Sequence, residues 1–351
     1  MKIETQLPLG NLDPGLRAAA GGLDLARAGD EARLAEALGY DGIVSEETKD
    51  DPFVVLALAA QATERVGLAT GVAIAFPRAP AVTALAAWTL QRLSKGRFTL
   101  GLGSQVKGHI ERRYGMGWTP PGPWMRDYVG ALRAIWRCWQ EGGTKLQYDS
   151  AHYKLSLMVP LFAPPPIEHP DIPIQLAAVN PFMCQVAGEV ADGIRAHPVC
   201  TPRYIAEVMR PAAKKGAAKT GRDFSRFEIA AMPLVATAPD KKGLEARVRD
   251  VRARIAFYAS TPTYLVAFET QGYGEVARTL HGHSRAQRWH EMPGFIPDEM
   301  LDHYAVIGTH DEIAGKLTER FAAVASHLEF AIPIAGDADK ATLTGLLKSL
   351  N

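Results

Sequence analysis

The sequence predicts an α/β protein, and within that class a (β/α)8 barrel rather than a doubly wound sheet. Strand and helix patterns alternate from the first residues to the last, which gives about eight βα units. Buried strands end in small or polar residues, as in Gly101-Leu102-Gly103-Ser104, and barrels of this kind place their ligand sites at such strand ends. A chain of 351 residues with 47% hydrophobic residues is long enough for such a barrel, so we expect one domain over residues 1–351.

The N-terminal half supplies four predicted strands with helices between them. The strands are expected at 2–7, 42–45, 66–76 and 97–102. The first helix covers 23–38 and ends at Gly39, and the second begins at Asp51-Pro52, a capping residue followed by proline in the first turn. The third helix carries one face of residues at helical spacing, namely Val82, Leu85, Ala86, Thr89 and Leu93.

The C-terminal half continues the alternation with one interruption. A long amphipathic helix is predicted, followed by a polar hairpin at 146–158 and a proline-rich loop at 160–173; its apolar face is Met125, Tyr128, Val129, Leu132, Ile135, Trp136 and Trp139. Strands are predicted at 174–179, 193–196, 228–237, 304–307 and 328–334, and helices at 181–190, 202–220, 244–258 and 311–324. Residues 259–303 lack regular periodicity, and a segment of this length predicts a functional insertion, a lid over the site.

Composition argues against several classes of function. Lys plus Arg number 39 and Asp plus Glu 38, a net charge of +1, so we expect no nucleic-acid partner. No apolar run approaches the ~20 residues that cross a bilayer and no signal peptide is visible, so we expect no membrane association and a cytoplasmic location. Cys138, Cys184 and Cys200 show no zinc spacing, which predicts unpaired thiols and no metal site.

The glycines after the fourth strand are the first candidate binding feature. Gly101-Leu102-Gly103 does not continue as GxGxxG, because Val106 stands at the third glycine position, so a nicotinamide site is not expected. A tight barrel loop that admits a flat ring fits these residues better. The alternative is that the glycines serve only to turn the chain.

Two successive glutamates, Glu46 and Glu47, follow the second strand. Residues at this end of a barrel strand face the site, so one of the two should point inward. A paired and partly buried carboxylate there would have a raised pKa and could relay protons. The alternative is a solvated charge beside Lys49.

His109 lies six residues beyond Gly103 and is a candidate catalytic residue, since an imidazole at the rim of a pocket can donate a hydrogen bond or a proton near neutral pH. Its alternative role is structural. The neighbouring cations Lys107, Arg112 and Arg113 would face either an anionic cofactor tail or solvent.

After the fifth strand, Asn180 is placed to cap a helix whose free N–H groups could bind phosphate, with His197 at the next strand end beside it.

Taken together, the chain resembles the bacterial luciferase-like superfamily, in particular its oxidoreductases that depend on the deazaflavin coenzyme F420. The resemblance extends over nearly the whole chain and is carried by SEETKDDPF (45–53), residues 69–118, IPIQLAAVNP (172–181), VADGI (190–194) and RIAFYASTPTY (254–264). It departs from that group at Glu46-Glu47, where related enzymes often have Asp-His, and at Val179-Asn180, where related phosphate loops often have Gly-Gly.

The resemblance implies a barrel, usually a homodimer, that binds a flavin or deazaflavin at the carboxyl ends of the strands. It also implies a cis peptide at Gly71-Val72 behind the ring, a fourth-strand loop at Gly103-Ser104-Gln105 and a phosphate loop at Val179-Asn180-Pro181. The cofactor-binding residues that follow are Thr70, Gly71, Val72, Ala73, Gly103, Ser104, Gln105, Ala178, Val179, Asn180, Pro181 and His197.

The expected function is therefore an F420-dependent hydride transfer to or from a small organic substrate. His109 and Glu46 are the candidate catalytic residues, and Trp118, Tyr258 and Tyr264 are candidates to line the substrate pocket with His109. An FMN-dependent monooxygenase of the same superfamily is one alternative, and a non-catalytic flavin-binding barrel is another. A cofactor-free lyase or aldolase would need a lysine at a strand end, which the predicted strands do not supply convincingly.

Overall fold

The computed structural model of this chain describes residues 1–10 and 22–350, and a closed ring of eight parallel strands lies at its centre. The elements of the N-terminal half are β1 (Lys2–Gln6), α1 (Ala28–Leu38), β2 (Gly42–Ser45), α2 (Pro52–Ala62), β3 (Gly67–Thr70), β4 (Ala73–Ile74), α3 (Pro80–Leu93), β5 (Phe98–Gly103), α4 (Lys107–Arg112) and α5 (Pro121–Gln140). Local signals set several of these boundaries. Gly39 ends α1 in a left-handed conformation with φ of 104°, and the Asp51 side chain caps α2 by accepting a bond from the Phe53 N–H.

The C-terminal half begins with the predicted polar hairpin. Its elements are β6 (Tyr148–Asp149), β7 (Lys154–Leu155), β8 (Ile174–Ala178), α6 (Pro181–Val190), β9 (Gly193–Ala196), α7 (Pro202–Tyr204), α8 (Arg210–Thr220), β10 (Glu228–Ala231), β11 (Leu234–Ala238), α9 (Lys241–Ala259), α10 (Leu265–Glu269), α11 (Gly274–Arg285), α12 (Asp298–Tyr304), β12 (Ala305–Thr309), α13 (His310–Phe321), β13 (His327–Glu329) and α14 (Asp337–Leu350). A π-helical turn, Ile205–Met209, joins α7 to α8.

The ring confirms the predicted (β/α)8 barrel. Its strands run in the order β1, β2, β3, β5, β8, β9, β10 and β13, and β13 pairs back with β1. The register places Glu4 opposite both Gly42 and Glu329. Because successive side chains of a strand alternate between its two faces, this register decides which polar residues point into the barrel.

The strand predicted at 228–237 is two strands. β10 belongs to the ring, whereas β11 leaves it and pairs in parallel with β12. Met232-Pro233 separates them, and proline has no N–H with which to continue the ladder. The strand predicted at 304–307 is therefore present as β12 but lies outside the barrel, and β13 closes the ring.

One predicted helix face is correct and another is wrong. All the apolar residues predicted on α5 are buried. On α3, by contrast, Val82 is 60% and Leu85 49% exposed, while Trp88 is buried. The buried side of α3 is the one that bonds its neighbours: the Trp88 Nε1–H donates to the Pro165 carbonyl, and Thr83 bonds Tyr128 at 2.6 Å. These bonds join residues far apart in the sequence, and they determine which face of α3 is buried. The spacing of apolar residues within the helix does not reveal them.

The segment 259–303 is helical rather than irregular. It contains α10, α11 and most of α12, with short 3-10 turns at Pro262–Tyr264 and Met292–Phe295. Phe268 and Leu280 are buried within it, and the ring of His281 bonds the Ser260 carbonyl at 3.0 Å. α11 and α12 pack on α9, and the buried apolar residues of the segment are continuous with the hydrophobic core of the barrel.

Two further observations concern the chain as a whole. All three cysteines are buried and unpaired, as the sequence predicts. Within residues 1–10 and 22–350, no helix combines the length and the apolar character that a membrane crossing requires.

Candidate active site

A cavity of about 970 Å³ opens at the carboxyl ends of the ring strands. Every strand of the ring contributes to its wall, through Gln6, Ser45, Gly71, Gly103, Ala178, Ala196, Ala231 and Glu329 on or directly after the strands. This is the face on which barrels of this type carry their active sites.

Glycines shape one wall of this cavity. A Cβ on Gly71 would lie 2.2 Å from Val44 Cγ1, and a Cβ on Gly103 would lie 2.6 Å from Val72 Cγ2. The Gly71-Val72 peptide is cis, as the family resemblance implied, and both residues line the cavity. Since no side chain projects from Gly71 or Gly103, this wall leaves room for a flat group against the backbone.

Two of the predicted cofactor residues support this wall from behind. Thr70 is fully buried; its hydroxyl donates to the Gly101 carbonyl at 2.6 Å and accepts the Gly101 N–H at 2.8 Å. Ala73 is also fully buried. Neither lines the cavity: Thr70 joins β3 to β5, and Ala73 of β4 pairs with Leu102 of β5.

The floor contains an ion pair that crosses the barrel. Arg195 of β9 donates from Nη1 to Glu4 Oε2 at 2.9 Å and from Nη2 to Glu4 Oε1 at 3.2 Å. Burial acts to raise the pKa of Glu4, but the charge and hydrogen bonds of Arg195 outweigh it, so that pKa is lowered. Arg195 lines the cavity and its buried Nε–H has no partner, which leaves one donor unsatisfied.

Beside this pair, one amide holds two carboxyl groups. Gln6 Nε2 donates to Glu46 Oε1 and to Glu329 Oε1, each at 2.9 Å, and all three residues line the cavity. Burial, then the carboxylates of Glu46 and Glu4, raise the pKa of Glu329 to about 8. Glu47 points elsewhere, since it accepts the Ile74 N–H at 2.7 Å and pairs with Arg78. The inward glutamate of the two is therefore Glu46.

Another part of the cavity wall is aromatic and includes His197. Its ring centroid lies 4.7 Å from that of Tyr258 and 4.1 Å from that of Tyr264, and all three residues line the cavity with Trp118. The Val199 N–H points to Nδ1 at 3.4 Å, which assigns the ring proton to Nε2. Burial lowers the pKa of His197 to about 3, so the imidazole is neutral near pH 7.

The predicted phosphate loop meets the cavity through Ala178, Val179 and Asn180. Asn180 caps α6, because its Oδ1 accepts the Met183 N–H at 2.9 Å, and this N–H is therefore already bonded. Pro181, which follows, is exposed and lies outside the lining. The predicted fourth-strand loop contributes Ser104 and Gln105, and Gln105 adopts a positive φ of 57°.

Cations surround the cavity mouth. Four basic residues line the cavity, namely Lys49, Lys107, Arg247 and Arg254, and two acidic residues, Asp50 and Asp250, line it as well. An anionic ligand tail would find opposite charge here.

The two predicted catalytic residues differ in their relation to the cavity. Glu46 lines the cavity, whereas His109 lies on α4 with its side chain exposed and is outside the lining. A catalytic role for His109 stays a prediction that His109→Ala tests, since reduced turnover at unchanged coenzyme affinity would support it.

Among the polar lining residues that the sequence predictions missed, Gln6, Arg195 and Glu329 belong to strands of the ring. A signal was present in each case. Each is a polar or charged residue inside a short ring strand or at its end, in KIETQ, GIRA and HLE. In a barrel, such residues face inward or outward according to register, and register is not visible before the fold is known.

Comparisons with known proteins agree with this architecture. The sequence model described as luciferase-like monooxygenase matches residues 9–327. An uncharacterized protein of Mycobacterium tuberculosis is 45% identical over 296 residues, which are 84% of this chain and 87% of that protein. A second protein of that species, provisionally named a coenzyme F420-dependent oxidoreductase, is 29% identical over 80% of this chain and 83% of its own length. The 5,10-methylenetetrahydromethanopterin reductase of Archaeoglobus fulgidus is 28% identical over 88% of this chain and 90% of its own length.

Solved structures share the fold at lower identity. The coenzyme F420-dependent tetrahydromethanopterin reductase of Methanopyrus kandleri has a TM-score of 0.75 at 20% identity, covering 98% of this chain and 97% of that chain. A second solved structure is the oxygenating constituent of 3,6-diketocamphane monooxygenase from Pseudomonas putida, in complex with FMN. It has a TM-score of 0.64 at 16% identity, covering 100% of this chain and 97% of that chain. These two likenesses concern the fold alone.

Proposed function

The chain belongs to the luciferase-like monooxygenase family, and from that premise we propose that it is a coenzyme F420-dependent oxidoreductase. It would transfer a hydride between the deazaflavin C5 and a small organic substrate. The observation that carries this proposal is a single cavity that joins a wall without side chains at Gly71 and Gly103 to a mouth lined by four cations. The relatives named for F420 and for methylenetetrahydromethanopterin reduction support the same coenzyme.

The residues present fit a deazaflavin. Gly71 and Gly103 allow a planar ring to approach the backbone, and the unpartnered Nε–H of Arg195 supplies a donor for a ring acceptor. Lys107 and Arg254 would hold the anionic tail of the coenzyme at the mouth. When bound, the coenzyme supplies the hydride chemistry, and the protein supplies orientation, exclusion of water and proton transfer.

The aromatic wall would receive the substrate. Neutral His197 can donate a hydrogen bond from Nε2 to a substrate oxygen, while Trp118, Tyr258 and Tyr264 provide apolar contact area. We further propose that the segment 259–303 acts as a lid, because its residues Thr263 and Tyr264 line the cavity. Glu46, which also lines the cavity, would donate or accept the proton.

We also propose that the protein pairs with a second copy of itself, as the family resemblance implies. α2 and α3 pack side by side and expose Val54, Val82, Leu85 and Leu93. Exposed apolar side chains clustered on adjacent helices are typical of a protein interface. This face would be the contact between the two copies.

The decisive experiment is a titration of purified protein, freed of cofactor, with F420 and with FMN, followed by fluorescence. We expect F420 to bind more tightly than FMN. Arg254→Glu should weaken F420 binding at least tenfold while leaving the affinity for a deazaflavin without its anionic tail nearly unchanged. Arg249→Glu, a charge reversal at an exposed residue of the same helix that lies outside the cavity, is the matched control.

Tight binding of FMN alone would overturn the coenzyme assignment in favour of an FMN-dependent monooxygenase. Binding of F420 without any turnover of carbonyl, enoyl or alcohol substrates would indicate a non-catalytic flavin-binding barrel.

A further inference from the structure

A chain of hydrogen bonds connects the predicted phosphate loop to the segment 259–303. It starts at the carbonyl of Val179, which accepts the hydroxyl of Tyr204 at 2.9 Å. Tyr204 belongs to α7 and is buried, and its own N–H donates to the side chain of Thr201 at 3.2 Å. The Thr201 hydroxyl in turn donates to Gln271 Oε1, in the turn that follows α10. These bonds therefore join the end of β8 to the segment that we propose as a lid.

Tyr204 fixes the direction of a free donor in the cavity wall. The Val179 carbonyl and the Asn180 N–H belong to one planar trans peptide unit, so they point in opposite directions. In the part of the chain that the structure describes, the Asn180 N–H donates no hydrogen bond, and Asn180 lines the cavity. Because Tyr204 holds the carbonyl, it also holds this N–H in a direction that is available to a ligand anion.

Gln271 joins several elements at the lid end of this chain of bonds. Its Oε1 accepts from Thr201 and from His303 Nε2, the latter at 2.7 Å. Its Nε2 donates to the Ala267 carbonyl at 2.7 Å and to the Tyr304 hydroxyl at 2.9 Å. The amide thus uses both of its hydrogens and accepts two bonds at its oxygen. Such a fully bonded side chain holds α10 and α12 in one arrangement relative to the start of α7.

Both ends of α10 meet the same short stretch of chain. Tyr264 directly precedes the helix and lies against the ring of His197, with the two ring centroids 4.1 Å apart. Beyond the other end of the helix, Gln271 bonds Thr201. Residues 197–201 therefore carry the cavity-lining part of the lid, and α7 begins directly after them.

We propose that Tyr204 and Thr201 are positioning residues that couple the phosphate loop to the lid: when the phosphate of the coenzyme binds at Asn180, it orders the lid and sets Tyr264 in the aromatic wall. The inference rests on the proposed function, from which it takes the coenzyme and the lid. A ligand shifts a conformational equilibrium only by the difference in its affinity for the two states. That difference arises here because one chain of bonds fixes both the Asn180 N–H and the position of Tyr264.

The first test follows the lid without turnover. Hydrogen exchange of peptides from residues 262–273 is compared in the protein alone, at saturating F420, and at a saturating concentration of a deazaflavin that lacks the anionic tail. We expect F420 to slow exchange in this segment about fivefold, and the deazaflavin without the tail to leave it nearly unchanged. Equal protection by the two ligands would overturn the coupling to the phosphate.

The second test breaks the bond between α7 and the lid. Thr201→Val keeps the shape of the side chain and removes its hydroxyl, so the variant should still saturate with F420 but lose the protection of the lid. Thr201→Ser, which keeps the hydroxyl, should retain that protection. Thermal melts will show that both variants fold, and full protection in Thr201→Val would overturn the proposal.

The third test breaks the bond to the phosphate loop. Tyr204→Phe leaves the Val179 carbonyl without this donor, so we expect the Kd for F420 to rise about three- to tenfold, in the range of one lost hydrogen bond, with the affinity for the deazaflavin without the tail unchanged. Lid protection at saturating F420 should fall as well. Tyr148→Phe is the matched control, because the Tyr148 hydroxyl also donates to a backbone carbonyl, that of Asp127 at 3.0 Å, but lies outside the cavity lining.

Equal loss of affinity for both ligands in Tyr204→Phe would indicate a structural role and overturn the positioning role. If FMN binds in place of F420, the same comparison uses FMN and riboflavin, which differ in the phosphate alone. Failure of both F420 and FMN to bind would remove the proposed function and this inference with it, whereas binding without protection of the lid would overturn this inference alone.

Discussion

Arg195 clamps Glu4 across the interior of the barrel, with both Nη atoms bonded to the two carboxylate oxygens at 2.9 and 3.2 Å. The residues belong to β9 and β1, which are not neighbours in the ring and are 191 positions apart in the chain. Each side chain is only about a tenth exposed, 10% for Arg195 and 9% for Glu4. The pair therefore links two sides of the barrel directly below the cavity.

Removing one partner of this pair should be costly. We expect Arg195→Met to lower the free energy of unfolding by about 3–5 kcal/mol, because the Glu4 carboxylate would stay buried without its cation. The double variant Glu4→Gln, Arg195→Met should recover much of that loss. Urea denaturation of the four proteins in this double-mutant cycle measures the coupling, and equal stability of the single and double variants would contradict it.

The raised pKa of Glu329 makes stability depend on pH in a defined direction. In the unfolded chain this carboxyl has an ordinary pKa near 4.5, and in the folded protein it is about 8. The folded state therefore binds more protons between these values, and stability is lost as the pH rises through that window. Glu329→Gln should have a higher Tm than the parent at pH 9, and the two melting temperatures should converge at pH 5. Parallel curves across this range would refute the assignment.

The glycines of β5 should respond differently to a methyl group. A Cβ at position 101 would lie 1.9 Å from the Thr70 carbonyl oxygen, so Gly101→Ala should destabilise the barrel by several degrees of Tm. At Gly103 the conflict is with the Val72 side chain, and Gly103→Ala should mainly weaken coenzyme binding. Gly315→Ala, at a helical glycine with nothing within 4 Å, is the control and should be neutral or slightly stabilising.

His197 should act as a neutral donor. His197→Phe keeps the aromatic packing against Tyr258 and Tyr264 but removes the Nε2–H, so we expect reduced kcat with little change in Tm. Because burial lowers the pKa of His197 to about 3, the parent enzyme should show no titration of this residue between pH 5 and pH 8. An NMR titration of the imidazole with a midpoint near 6.5 would contradict this.

The exposed face of α3 should determine the oligomeric state. Leu85→Glu places a charge among Val82 and its neighbours, and we expect the protein to elute as a monomer where the parent is a dimer. Leu161→Glu, at an exposed apolar position of the loop after the hairpin, is the matched control. Light scattering coupled to size exclusion distinguishes the two states. A parent that is monomeric at micromolar concentration would refute the proposed interface.

Several features of this protein follow from the sequence because they depend on residues that are close in the chain. Asp51, Gly39 and Asn180 set helix ends through bonds to groups two to four residues away. The alternation of strands and helices predicts the barrel, and the apolar spacing of α5 predicts its buried face. The glycine wall and the position of Glu46 at a strand end also follow from local patterns.

Other features were decided only by the tertiary structure. The buried face of α3 depends on bonds to Tyr128 and Pro165, and the exit of β11 from the ring depends on the partner strand β12. The polar contacts of the site also depend on the tertiary structure. Gln6 forms hydrogen bonds with Glu46, 40 positions away in the sequence, and with Glu329, 323 positions away. Such contacts arise from barrel closure and strand register, and register decides which face of a strand each side chain occupies. No pattern within one strand contains that information. The polar residues at the floor of the cavity can therefore be identified only from the closed barrel.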